Sequence, residues 1–336
     1  MPSPSASGRR ALQSGIARLE RAEVSLGCLV RSVGAVLLLL ALAIAARRVT
    51  EAAASILPPG PGERDTVVDG VRWRSREAPG KPDREPVVYV HGFLSSSSTW
   101  KRVLLPASAG RAGIAVDLPG AGFSDRPWPW DYTVFGQARH LLQYLDARGW
   151  RRVVLVGSSL GGAVCEAVAV ARPERVAALV LVDAAWPGMR VPLGFRLLRT
   201  PVVGDLQLEL LVRPVMGYAL RRRLYARPER VTEETVDDWW VPVTVPGTRR
   251  AALESVRTSF RGTEGLITKI RAPTLVVWGK EDALLQASQG LDLASAIPSA
   301  RYVALPDAGH LPQEEVPAEF ARTLAAFLHK LPAPAR

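Results

Sequence analysis

A serine hydroxyl is a weak nucleophile at neutral pH unless its backbone turn exposes it and a neighbouring base takes its proton. Gly157-Ser158-Ser159-Leu160-Gly161 lies between the apolar run 153–156 and the helical pattern 160–171. Glycines at Gly157 and Gly161 permit a sharp strand-to-helix turn that lifts Ser159 out of the strand. A helix starting there aims its free amides and the positive end of its dipole at a developing oxyanion. Five-residue Gly/Ser patterns are common by chance, and the strand–turn–helix setting is what makes this one specific. Ser158, at the variable position, reads as structural.

A base and an acid that orients it should follow in the order Ser, Asp, His. The run 274–278 ends in Gly279-Lys280-Glu281-Asp282, and the run 301–305 ends in Pro306-Asp307-Ala308-Gly309-His310. Both loops leave the sheet edge that carries Ser159. Glu281, Asp307 and Asp183 compete with Asp282 for the acid role, Asp183 most seriously because it also ends a strand-like run, 176–182. Of the other histidines, His140 falls on the wet face of a helical pattern and His329 in the C-terminal tail, so His310 is the better base. No metal-ligand spacing and no phosphate-binding loop occur, so neither metal nor cofactor is expected.

Positioning these groups requires short apolar strands alternating with helices. Thr66-Val67-Val68, the Asp69-Gly70 turn and the residues from Val71 predict a starting hairpin. The runs 86–90, 113–116, 153–156, 176–182, 274–278 and 301–305 follow, separated by helical patterns such as 135–148, 160–171, 284–296 and 318–331. Unbroken apolar strands with helices between them predict an α/β fold, a mostly parallel central sheet covered on both faces. The alternation fails over 186–270, where 206–212, 216–225 and 232–240 are helical in pattern. This span predicts an inserted helical cap over the C-terminal edge of the sheet, where open α/β folds bind ligands. Met216, Tyr218, Trp239 and Trp240 are its candidate pocket residues, with packing of the cap onto the body as the alternative.

Over residues 65–332 the chain resembles the α/β-hydrolase family. The matching stretches are His91-Gly92-Phe93, Asp117-Leu118-Pro119-Gly120-Ala121-Gly122-Phe123-Ser124-Asp125, the Gly157–Gly161 elbow, Gly279-x-x-Asp282 and Gly309-His310. The resemblance implies Ser159 as nucleophile, His310 as base and Asp282 as its partner. It implies an oxyanion hole from the Phe93 and Leu160 amides, with His91 and Gly92 holding the oxyanion loop. Members that open epoxides or displace halide use aspartate at the elbow, so serine implies acyl transfer. Hydrolysis of carboxylic esters, apolar or lipid-like ones included, is the leading expectation. Carbon–carbon hydrolysis of ring-fission diketones, a perhydrolase of haloperoxidase type and a non-catalytic binding protein are the alternatives.

The 336 residues suit one such domain with an appendage. The net charge is +11, but 38 of the 43 basic residues are Arg and they are dispersed, with no nucleic-acid motif, so no nucleic-acid partner is expected. After a leader of residues 1–25, the stretch 26–46 carries one charge, Arg31, and as a helix would reach about 30 Å. It predicts a single-pass membrane anchor, with a cleaved signal peptide as the rival, and the basic flanks slightly favour an exported domain. A Pro/Gly-rich linker, 47–64, follows. Nothing in the pattern bears on oligomeric state.

Overall fold

The computed structural model describes residues 58–331 apart from 261, 262, 264 and 299. Eight strands form one sheet: β1 (Glu63–Val68), β2 (Val71–Ala78), β3 (Val87–Val90), β4 (Gly113–Val116), β5 (Val153–Ser158), β6 (Val176–Val182), β7 (Thr274–Gly279) and β8 (Arg301–Leu305). Their order is β1-β2-β4-β3-β5-β6-β7-β8. β1 and β2 pair antiparallel, as do β2 and β4, and every other pairing is parallel. Asp69 and Gly70 both take positive φ, 49° and 78°, the geometry a two-residue hairpin turn demands.

Helices α1 (Leu104–Ala107), α2 (Val134–Ala147) and α3 (Leu160–Ala171) lie before β6 in the chain. Between β6 and β7 come α4 (Leu193–Leu198), α5 (Val203–Glu209), α6 (Arg213–Ala219), α7 (Glu233–Thr244) and α8 (Thr248–Thr258). Helix α9 (Ala287–Ala296) follows β7, and α10 (Pro312–Glu315) and α11 (Pro317–Leu328) follow β8. The period-2 rule of a strand divides the core. Val153 and Leu155 of β5 pack with Leu141, Val164 and Leu293 from α2, α3 and α9, while Val154 and Val156 pack with Leu104 and Phe320 from α1 and α11.

Helices α4 to α8 form the cap. Leu198, Leu208, Ala252 and Leu253 bury a cluster against Phe93 and Leu94. A second cluster joins Met216, Leu220, Trp239, Trp240 and Val243 to Leu311. Helices α4 and α8 were not anticipated from the sequence.

The expected anchor, 26–46, lies outside the described residues. Among the described residues no helix is long and apolar enough to cross a membrane; the longest, α2, has 14 residues, where a span needs about 20. The single-pass membrane placement read from the sequence is corrected accordingly.

Candidate active site

Ser159 is the N-cap of α3 and takes φ 50°, ψ −121°, a conformation that costs a non-glycine residue about 1–3 kcal/mol and persists only where its surroundings enforce it. They do so here. A Cβ on Gly161 would sit 2.4 Å from His91 O, and one on Gly157 2.5 Å from Gly161 O, so only glycines let strand, turn and helix close this tightly. The Ser159 amide donates to Val182 O at 3.0 Å, which ties the turn to β6.

The loop after β3 lies directly against this turn. A Cβ on Gly92 would be 3.0 Å from Ser159 Cβ and 3.7 Å from its Oγ. His91 Nε2 accepts from the Leu118 amide at 3.1 Å, which leaves Nδ1 to donate to Gly92 O at 2.8 Å. Burial lowers the imidazole pKa, so His91 is a neutral brace between the loops after β3 and β4. The amides of Phe93 and Leu160 donate to no protein acceptor among the described residues. At the first residue of a helix that is the rule.

His310 Nδ1 is 2.7 Å from Asp282 Oδ2, and both side chains are buried. Asp282 Oδ1 accepts from the Leu284 and Leu285 amides at 2.7 and 2.9 Å. The rivals for the acid role are engaged elsewhere. Asp307 is half exposed and paired with Arg227, Glu281 accepts from the Ala308 amide at 3.2 Å, and Asp183 Oδ1 accepts from the Gly279 amide at 2.9 Å. No hydrogen bond joins Ser159 Oγ to His310 among the described residues. Catalytic contacts often tighten only around substrate. His140 is not on a wet face: its ring is half-buried and stacked on Trp130 at 3.8 Å.

Glu315 was not singled out by sequence. Its Oε1 accepts from the Gly309 amide at 2.6 Å, while Oε2 accepts from the cap amides of Ala226 and Arg227 at 2.8 and 3.3 Å. The His310 amide in turn donates to Leu224 O at 2.7 Å. One carboxylate thus clasps the cap to the histidine loop, and burial pushes its pKa up to about 7.

Ser159 opens on a partly open, largely apolar pocket walled by Phe93, Leu160, Met189, Phe195 and Leu284. Arg199, exposed, is the one charged residue among the described lining side chains. Phe93 and Phe195 meet edge to face at 5.4 Å. The four candidate pocket residues do not line this cavity: Met216, Trp239 and Trp240 fill the cap's own core, and Tyr218 is 65% exposed. Bulky apolar side chains bury where they find partners, and the partners of these are other cap residues and Leu311. Leu284 and Leu285 had a local signal, lying just past Asp282. Met189 and Phe195 had none, since cap folding alone brings them to Ser159.

A family model described as alpha/beta hydrolase fold matches residues 85–317. The chain is 28% identical over 275 residues to monoacylglycerol lipase abhd6-A of Xenopus laevis, covering 77% of this chain and 79% of that protein. It is 30% identical over 256 residues to 2-hydroxy-6-oxo-2,4-heptadienoate hydrolase of Pseudomonas putida, covering 72% and 88%. Among solved structures, a membrane phospholipase A described as a bacterial virulence factor superposes with a TM-score of 0.68 at 25% identity, covering 93% of this chain and 99% of that one. The sheet order, the cap between β6 and β7 and the extent of the family match agree: the chain belongs to the α/β-hydrolase fold family.

Proposed function

We propose that the chain is a serine hydrolase of carboxylic esters with an apolar acyl or alcohol group, working through an acyl-enzyme on Ser159. The observation that carries this reading is a strained serine lining an apolar cavity, on the same sheet edge as a buried, hydrogen-bonded His310–Asp282 pair. Ser159 Oγ attacks the carbonyl carbon as His310 Nε2 takes its proton, and Asp282 holds Nδ1–H and stabilises the imidazolium. The carbonyl oxygen gains the charge and is met by the Phe93 and Leu160 amides. The tetrahedral centre collapses, the C–O bond breaks, and the alcohol leaves with the proton from Nε2. Water then attacks the acyl-enzyme with His310 again as base, releasing the acid and restoring Ser159.

Two of the similar proteins, the monoacylglycerol lipase and the phospholipase A, are named for lipid hydrolysis. A second reading, cleavage of a carbon–carbon bond in a ring-fission diketone, draws on the similar heptadienoate hydrolase. A dienoate carries a carboxylate, and among the described residues the only cation at the cavity is the exposed Arg199, so the wall favours the ester. The test is fluorophosphonate labelling together with p-nitrophenyl esters of graded chain length and a vinylogous diketone. Labelling at Ser159 and a loss of kcat/KM of about 10³-fold or more in Ser159→Ala are expected. An unlabelled protein, or an undiminished rate in the variant, refutes the serine mechanism. Turnover of the diketone alone replaces the ester reading with the second one.

A further inference from the structure

Directly after β6, Asp183 adopts φ 43°, an uncommon conformation that aspartate tolerates better than most side chains. Its amide donates to Val277 O at 3.0 Å and its Oδ1 accepts from the Gly279 amide at 2.9 Å, so it is fixed to β7 from both ends. The residue is fully buried, and its Oδ2 has no hydrogen-bond partner of the ordinary donor types. One side-chain N or O atom from each of Asp183, Asp282 and His310 lies within 4.8 Å of the others. Such spacing could suit a cation, but His310 commits Nδ1 to Asp282.

Two buried carboxyls this close do not both ionise. The charge belongs where the donors are, and Asp282 has three against one for Asp183. Burial first, and then the charge on Asp282, push the Asp183 carboxyl well above the ordinary carboxylate range. A proton on Oδ2 also resolves the orphaned atom, since buried polar atoms are seldom left unpaired.

We infer that Asp183 is a positioning residue that works as a neutral carboxylic acid, donating a hydrogen bond from Oδ2 to the Asp282 carboxylate. The inference rests on the serine-hydrolase reading of His310 and Asp282. Donation to Asp282 draws off part of its charge and holds its plane against the imidazole, so the proton taken from Ser159 stays on His310 instead of passing to Asp282. Without the donor, Asp282 becomes more basic and keeps His310 protonated to higher pH. The titratable groups that face Asp183 are Asp282 and His310 from the loops after β7 and β8, Glu315 from α10 and Tyr302 of β8.

The test measures the pH dependence, from pH 5 to 9, of fluorophosphonate labelling of Ser159 and of p-nitrophenyl butyrate hydrolysis in the full chain and in two variants. In Asp183→Asn the amide NH2 replaces the hydroxyl donor and Oδ1 still takes the Gly279 amide. Its rate should stay within about 3-fold of wild type with the acidic limb unmoved. Asp183→Ala removes the donor: kcat should fall about 10-fold or more with KM little changed, and the acidic limb should move to higher pH. An Asn variant as slow as the Ala variant overturns the inference, because it would mean that the ionised carboxylate is needed. So does an Ala variant with an unshifted limb and normal kcat. Should the Ala variant not fold, the Asn profile alone decides. A wild type that fails to label refutes the serine-hydrolase reading itself, a different result from any change confined to Asp183.

Discussion

Asp282 and Asp307 sit in neighbouring loops and were both candidates for the acid, yet their surroundings differ. Asp282 is sealed from water by the amides of Leu284 and Leu285 and the His310 ring, whereas Asp307 meets solvent and the Arg227 guanidinium, which lowers its pKa. Asp282→Asn would keep the shape while inverting the preferred tautomer of His310, so kcat should drop about 10³- to 10⁴-fold. Asp307→Asn should change kcat less than about 2-fold, since exposed ion pairs contribute little. Steady-state kinetics on one ester compares the pair directly, and equal losses would mean that the acid has been misassigned. Sequence narrowed the acid to four carboxylates because strand ends are readable. What favours Asp282 among them is its 2.7 Å contact to His310, which no spacing encodes.

The body and the cap were legible to different degrees, for a physical reason. The runs of β3 to β7 are buried on both faces, so each reads as continuous apolar sequence, and His91, Ser159 and Asp282 lie just past β3, β5 and β7, with His310 in the loop after the less buried β8. Helix α8 reads poorly because, Leu253 apart, its buried positions are small or polar, among them Ala251, Ala252, Ser255 and Thr258. It is held partly by Arg249, buried and donating to the carbonyls of Leu208 and Leu211. The cap tryptophans carried a strong apolar signal without an address. They found Leu311 and Tyr225, while the less conspicuous Phe195 and Leu284 reached the cavity. Leu284→Trp should fill space beside Ser159 and penalise octanoyl relative to acetyl p-nitrophenyl esters by about 10-fold or more. Trp239→Phe, in the cap core, should leave that ratio unchanged. A chain-length series on the two variants checks both statements, and an unshifted ratio in Leu284→Trp would remove the acyl group from this cavity.

Across the whole molecule the basic excess is partly neutralised locally, as in the pairs Arg213–Glu233, Arg221–Glu233 and Arg257–Asp205 of the cap. Buried acids are the less ordinary feature. Glu166 in α3 is fully buried with both carboxylate oxygens unpartnered, and burial raises its pKa well above the usual value, as it does for Asp183. A raised pKa in the folded state gives stability that is complete below the unfolded pKa and lost as pH rises through the folded one. Between pH 7 and 8 each such group still protonated in the fold should lower stability by about 1.4 kcal/mol per pH unit. Above pH 7 the histidines whose pKa is depressed, His91 and His140, are neutral in the fold and mostly neutral unfolded, so between pH 7 and 8 they oppose this by only about 0.3 kcal/mol together. Glu166→Met should flatten that slope by one group's share, read from denaturant midpoints at pH 7 and 8; an unchanged slope would mean that Glu166 is ionised in the fold. The clasp at Glu315 has a different consequence. Because the same carboxylate accepts from the cap amides of Ala226 and Arg227 and from the Gly309 amide beside His310, a shift of the cap would also shift the His310 loop. Under the proposed mechanism, a substrate that seats the cap poorly should lose turnover number as well as affinity.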